Sequence, residues 1–159
     1  MAFNQILDEV SILVLEYQMS SISLAQAQTL IAGALAVARQ KGYKPMGVVV
    51  VDTAAQAIAF AREDGASALR LDIAHGKAGA AIGMGSNSRA LAVRAKDLPA
   101  FFSTIASNAQ HPFIPQTGAV LIVDSQGAIV GAVGASGGTG DEDEEIVIAG
   151  IAAAGLHHL

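Results

Sequence analysis

Hydrophobic positions recur at three-and-four spacing in some stretches of the chain and run unbroken or alternate in others, and the switch between the two periods outlines the elements. Ile6, Leu7, Val10, Leu13, Val14 and Tyr17 predict a helix over Phe3 to Tyr17, although Ile12 to Leu15 also reads as a strand. Ser23 with Gln26 three residues on forms a capping box. Leu24, Ala27, Leu30, Ile31, Ala34, Leu35 and Ala38 then give one apolar face, and Gly42 gives the stop. Met46 to Val51 is a short β-branched run, hence a buried strand. Asp52 to Gln56 turns it into a second strand, Ala57 to Arg62, closed by Asp64 and Gly65. So short a connection requires an antiparallel hairpin.

Leu69 to Met84 predicts an Ala- and Gly-rich helix with Leu71, Ala74, Ala78, Ala81 and Ile82 inward. Ser86 or Ser88 caps a further short helix through Val93 and Lys96, and the Pro-bearing stretch Leu98 to Ile114 reads as irregular. Ala119 to Val123, the turn Asp124 to Gly127, and Ala128 to Ala135 form a second hairpin. Ser136-Gly137-Gly138-Thr139-Gly140 leads into a last helix that opens on five acidic residues, Asp141 to Glu145, with Ile146, Ile148, Ala149, Ala152 and Leu156 behind them. Helices, hairpin, helices, hairpin, helix is an α+β order with an antiparallel sheet, expected as a single domain over residues 1–159.

Composition narrows the function. A net charge of −5 with scattered Lys and Arg offers no basic stripe for phosphates, which argues against nucleic acid. The absence of Cys removes disulfides, thiolate catalysis and thiolate metal sites. Acidic residues at 8, 9 and 16 interrupt the N-terminal apolar positions, so a signal peptide or membrane span is not expected and the cytoplasm is the expected location.

Several ordered motifs carry a family resemblance. Ser23-Leu24-Ala25-Gln26-Ala27, Met46 to Asp52 followed by Arg62-Glu63-Asp64-Gly65-Ala66, Ile73 to Ala78 around Lys77, Gly118 to Ile122, and Gly131 to Gly138 together resemble the GlcG/HbpS-like family from about Ser20 to Leu156. The resemblance implies a profilin-like fold, a mainly antiparallel sheet flanked by helices, and symmetric homo-oligomers. The family includes haem-binding proteins, a domain fused to corrinoid adenosyltransferases, and proteins encoded in glycolate-utilisation operons. Two departures stand out: Ala55 where the family has a turn glycine, and Glu142 before Asp143 where it often has glutamine.

Candidate chemistry is sparse. The Gly137-Gly138 turn before a helix N-terminus suits an anion, and the acidic first turn competes for the same dipole. Arg62 and Lys77 are candidate contacts to a ligand carboxylate, with Asp64 a candidate partner of Lys77. Asp72 and His75 share a helical face but make only two ligands for a metal. If the ligand is the haem that the resemblance implies, His111 and His75 are the axial candidates ahead of the terminal His157 and His158. The expected function is binding of a small ligand, haem or another tetrapyrrole. An enzyme acting on a small organic acid and an oligomeric accessory protein without ligand are the alternatives.

Overall fold

The structure, a computed structural model, describes Ile6 and residues 21–159. The helix expected over Phe3 to Tyr17 lies outside the described residues except for Ile6, which is helical. Five further helices and five strands follow in the order α1 Leu24–Gln40, β1 Gly47–Val51, β2 Ala57–Arg62, α2 Arg70–Met84, α3 Ser88–Asp97, α4 Pro99–Asn108, β3 Ala119–Val123, β4 Ile129–Ser136, α5 Gly140–Ala153 and β5 His157–His158. The strands form one sheet in the order β2-β1-β4-β3-β5, with every neighbouring pair antiparallel. Both expected hairpins are present, and β1 beside β4 joins them into one sheet.

Alternation along the strands sorts the core into two faces. Val48 and Val50 of β1, Val120 and Ile122 of β3, and Val133 and Ala135 of β4 pack with Ala27, Leu30, Ala34 and Ala38 of α1 and with Ile146, Val147 and Ile151 of α5. Val49, Val51, Ala119, Leu121 and Ala132 face the other way, onto Ala74, Ala78 and Ala81 of α2. The alanines predicted inward on α2 are fully buried, while Leu71 and Ile82 flank them partly covered. Contact with the sheet is as close as backbone permits. A Cβ on Gly134 would lie 2.2 Å from the Ala74 carbonyl oxygen.

Three expectations are corrected. Leu98 to Ile114 is not irregular throughout, because Pro99 takes the first turn of α4, where its missing N–H costs nothing. Phe102 on that helix is buried with Leu91, Ala80 and Phe113 in a third, smaller cluster. Neither Ser86 nor Ser88 caps α3. Asn87 holds the cap position, and its side chain instead accepts from the Leu121 N–H at 2.8 Å. Ser88 is buried and exchanges hydrogen bonds with the Ala119 backbone at 2.8 and 3.0 Å. Finally, the last helix stops at Ala153, short of the Leu156 expected on it, and His157 and His158 pair with Val123 and Ile122 as β5.

Candidate functional site

The two hairpins leave one end of the sheet open between Gly118, just before β3, and Gly137-Gly138, just after β4. Lys77 crosses this gap. Its α2 backbone lies on one face of the sheet, yet its ammonium donates at 2.8 Å to Asp143 of α5 on the other face. A second bond from Lys77 reaches the Ala135 carbonyl at 3.0 Å. Gly118 makes the crossing possible, since a Cβ there would lie 2.7 Å from Lys77 Nζ and 2.8 Å from the Asp143 Cβ. Gly118 also sits at φ +123°, a conformation that residues with side chains seldom adopt. Both partners are buried, at 5% and 2% exposure, so the pair is an internal tie rather than a surface ion pair.

Asp143 is placed by the start of α5. Thr139 caps that helix and Glu142 completes a reciprocal capping box, with the Thr139 N–H donating to Glu142 at 2.7 Å. One turn in, Asp143 faces inward and accepts from the Gly138 N–H at 3.0 Å. Burial raises its carboxyl above the ordinary value, against the opposing pull of Lys77, the Gly138 N–H and Arg70.

A pocket of about 460 Å³ opens beside this pair, lined by Arg70, Ile73, Thr117, Gly138 and Asp141 among others. Arg70, Ile73 and Lys77 stand at i, i+3 and i+7 and therefore share one face of α2. The Arg70 guanidinium donates to the buried Ser136 hydroxyl at 3.3 Å. Asp141, at the rim, pairs with Arg89, which also holds Glu144 at 2.6 Å.

The residues expected from sequence fall in different places. Lys77 and Gly138 share the pocket just described. Gly137 packs away from it, where a Cβ would lie 2.5 Å from the Pro45 carbonyl. Arg62 is exposed in a separate pocket with Arg39, Pro45, Glu63 and Asp64, and its guanidinium donates to the Ala66 carbonyl. Asp64 is therefore not the partner of Lys77, which Asp143 takes instead. His111 lines a third pocket of about 500 Å³ with Thr53, Ala54, Gln56, Ile82 and Gly83. Its ring lies over α2, with Cε1 and Nε2 each 3.4 Å from where a Gly83 Cβ would stand. Gly79 and Gly83 are rotated about 200° and 240° from Lys77 around the helix, so His111 and Lys77 serve different faces. His75 Nε2 is 2.9 Å from the Ala55 carbonyl, which ties that nitrogen to the first hairpin turn.

Arg70 was not singled out by the sequence, and Ser136 and Asp143 entered only within motifs, with no contact role of their own. The i, i+7 spacing of Arg70 and Lys77 was the available signal, while Asp143 was indistinguishable from its acidic neighbours in a helix first turn. Among the described residues no group of three or more His, Cys, Asp or Glu could hold a metal ion, so Asp72 and His75 gain no third ligand. No described helix is long and apolar enough to cross a membrane.

The fold has solved relatives. The PduOC–haem complex superposes with a TM-score of 0.75 at 23% identity, over 86% of this chain and 97% of that one. A double mutant of HbpS from Streptomyces reticuli gives 0.72 at 27% identity, over 83% and 86%. The ORFY protein of Klebsiella pneumoniae gives 0.75 at 23% identity, over 84% and 90%. No curated protein matches the chain by sequence. A family model described as haem degrading protein HbpS-like matches residues 22–152, which span both hairpins, the Lys77 bridge and nearly all of α5. The chain belongs to the HbpS-like family.

Proposed function

We propose that this protein binds a small ligand, with haem or a related tetrapyrrole as the candidate and His111 as the imidazole that meets the metal. The observation that carries the proposal is the position of His111. It is half-buried on a Pro-flanked loop, beside a pocket of about 500 Å³. Neutral imidazole is the natural axial donor in a chain without Cys. His75 ranks behind it because its Nε2 is engaged by the Ala55 carbonyl. Membership of the HbpS-like family supports the choice of ligand. The donor set fits a haem iron, and the bound group would supply redox and ligand-exchange chemistry. The protein's part would be to hold the imidazole and shield the ring. Ile82 is the one large aliphatic side chain in the lining among the described residues, so shielding of the full macrocycle calls for a second copy of the chain.

Self-association is part of the same proposal. Among the described residues strand β2 forms one edge of the sheet, and its Phe60 is 64% exposed beside an apolar groove with Leu24, Ile31, Leu35 and Ile58. An edge unpaired and an apolar groove uncovered among the described residues make a surface that a symmetric copy can close. Titrating the protein with haem while recording its absorption tests the ligand. A saturating Soret band is expected, and an absorbance that rises as free haem alone would refute the proposal.

A further inference from the structure

We propose that the pocket beside the Lys77–Asp143 pair is a binding site for a small organic monocarboxylate, anchored by Arg70. The site lies on a different face of α2 from His111, so it stands apart from the tetrapyrrole proposal.

The pairing of charges around the pocket sets the ligand's sign. Lys77 and Asp143 neutralise each other at 2.8 Å. Asp141 and Glu144 share the Arg89 guanidinium; the Asp141 side chain is 81% exposed at the rim, where water screens it, and that of Glu144 is 16% exposed. Arg70 has no carboxylate partner among the described residues. Its bond to the Ser136 hydroxyl uses one of five N–H donors and holds the guanidinium at the pocket wall. Arg70 is thus the one cation lining the pocket without a carboxylate of its own among the described residues, and its planar guanidinium matches a planar carboxylate in two parallel hydrogen bonds.

Further donors converge on the same space. The Lys77 ammonium has three N–H groups, and two are spent on Asp143 and Ala135. This side chain is 7% exposed and lines the pocket with its remaining N–H unpartnered among the described residues. The Gly140 and Asp141 amides, first in α5, likewise make no hydrogen bond among the described residues. The walls limit size and character. Ile73 and Thr117 line the pocket, and about 460 Å³ admits an acid of a few carbons. A dianion would meet Asp141 and Asp143 with its second charge.

The test is an amide NMR titration with acetate, lactate and benzoate, run against inorganic phosphate and succinate. At least one monocarboxylate should give saturable shifts of the Gly138, Gly140 and Asp141 amides. Arg70→Met should weaken it at least tenfold, Arg70→Lys should weaken it less, and His111→Ala should leave it unchanged. Thermal midpoints of all three variants close to the parent's establish that folding is intact. The proposal is overturned if no monocarboxylate saturates by about 10 mM. It is equally overturned if Arg70→Lys and Arg70→Met both bind as the parent does, or if phosphate or succinate binds more tightly. A haem titration run separately keeps failure of the tetrapyrrole proposal distinguishable from failure of this one.

Discussion

Lys77 and Asp143 illustrate how much a single residue's neighbours decide. Removing one partner strands the other charge in the interior, which typically costs about 3–5 kcal/mol. Lys77→Met and Asp143→Leu should therefore each destabilise the protein by about that much in urea unfolding. The double variant should recover most of the loss, because a buried pair replaced by apolar groups is often neutral. Acid titration offers a second check. Since burial raises the Asp143 carboxyl above 3.8, the folded state takes up this proton more readily than the unfolded chain. The stability linked to that proton is fully present below about 3.8 and is lost as pH rises through the raised folded value. Asp143→Asn should abolish this portion of the pH dependence. None of this was legible in the sequence, where Asp143 stood in a row of acids and Asp64 offered Lys77 an equally good partner. The interaction spans 66 residues and depends on the gap left by Gly118.

The hairpins show the opposite case, an element readable from its local residues. Asp52 and Asp124 occupy equivalent positions in two turns of the same design. Asp52 accepts from the Ala54 and Gln56 N–H groups at 2.8 and 2.9 Å, and Asp124 accepts from Gln126 and Ala128 at 2.8 and 2.9 Å. Each turn then needs a left-handed residue, which is Ala55 at φ 60° in the first and Gly127 at φ 83° in the second. Ala55 thus takes the left-handed conformation that Gly127 takes in the second turn. Its buried methyl contributes about 0.8 kcal/mol, which offsets much of the strain of about 1–2 kcal/mol. Gly127 has no atom within 4 Å of a Cβ position, so Gly127→Ala bears the strain without compensation. Thermal unfolding should show Gly127→Ala destabilised by about 1 kcal/mol and Ala55→Gly nearly neutral. The element that sequence reading missed, α4, was hidden by Pro99. A proline in a helix's first turn and one in a loop look alike until Phe102 is seen to be buried.

At the scale of the whole molecule, one end of the sheet carries the Lys77 bridge and the outer edge at β2 carries exposed Phe60. The order of elements and both hairpins were legible because short turns permit few topologies. The candidate site residues were not, since Arg62, Lys77 and His111 line three different pockets of a folded surface. Light scattering should report a species larger than a monomer at micromolar concentration, and Phe60→Glu should shift it toward the monomer. A monomeric parent would contradict the proposed self-association. The ligand proposal meets its most direct test in the absorption spectrum of haem-loaded protein carrying His111→Ala. The account predicts that the parent's Soret band shifts or disappears in this variant while His75→Ala keeps it. An identical spectrum in His111→Ala and the parent would contradict it.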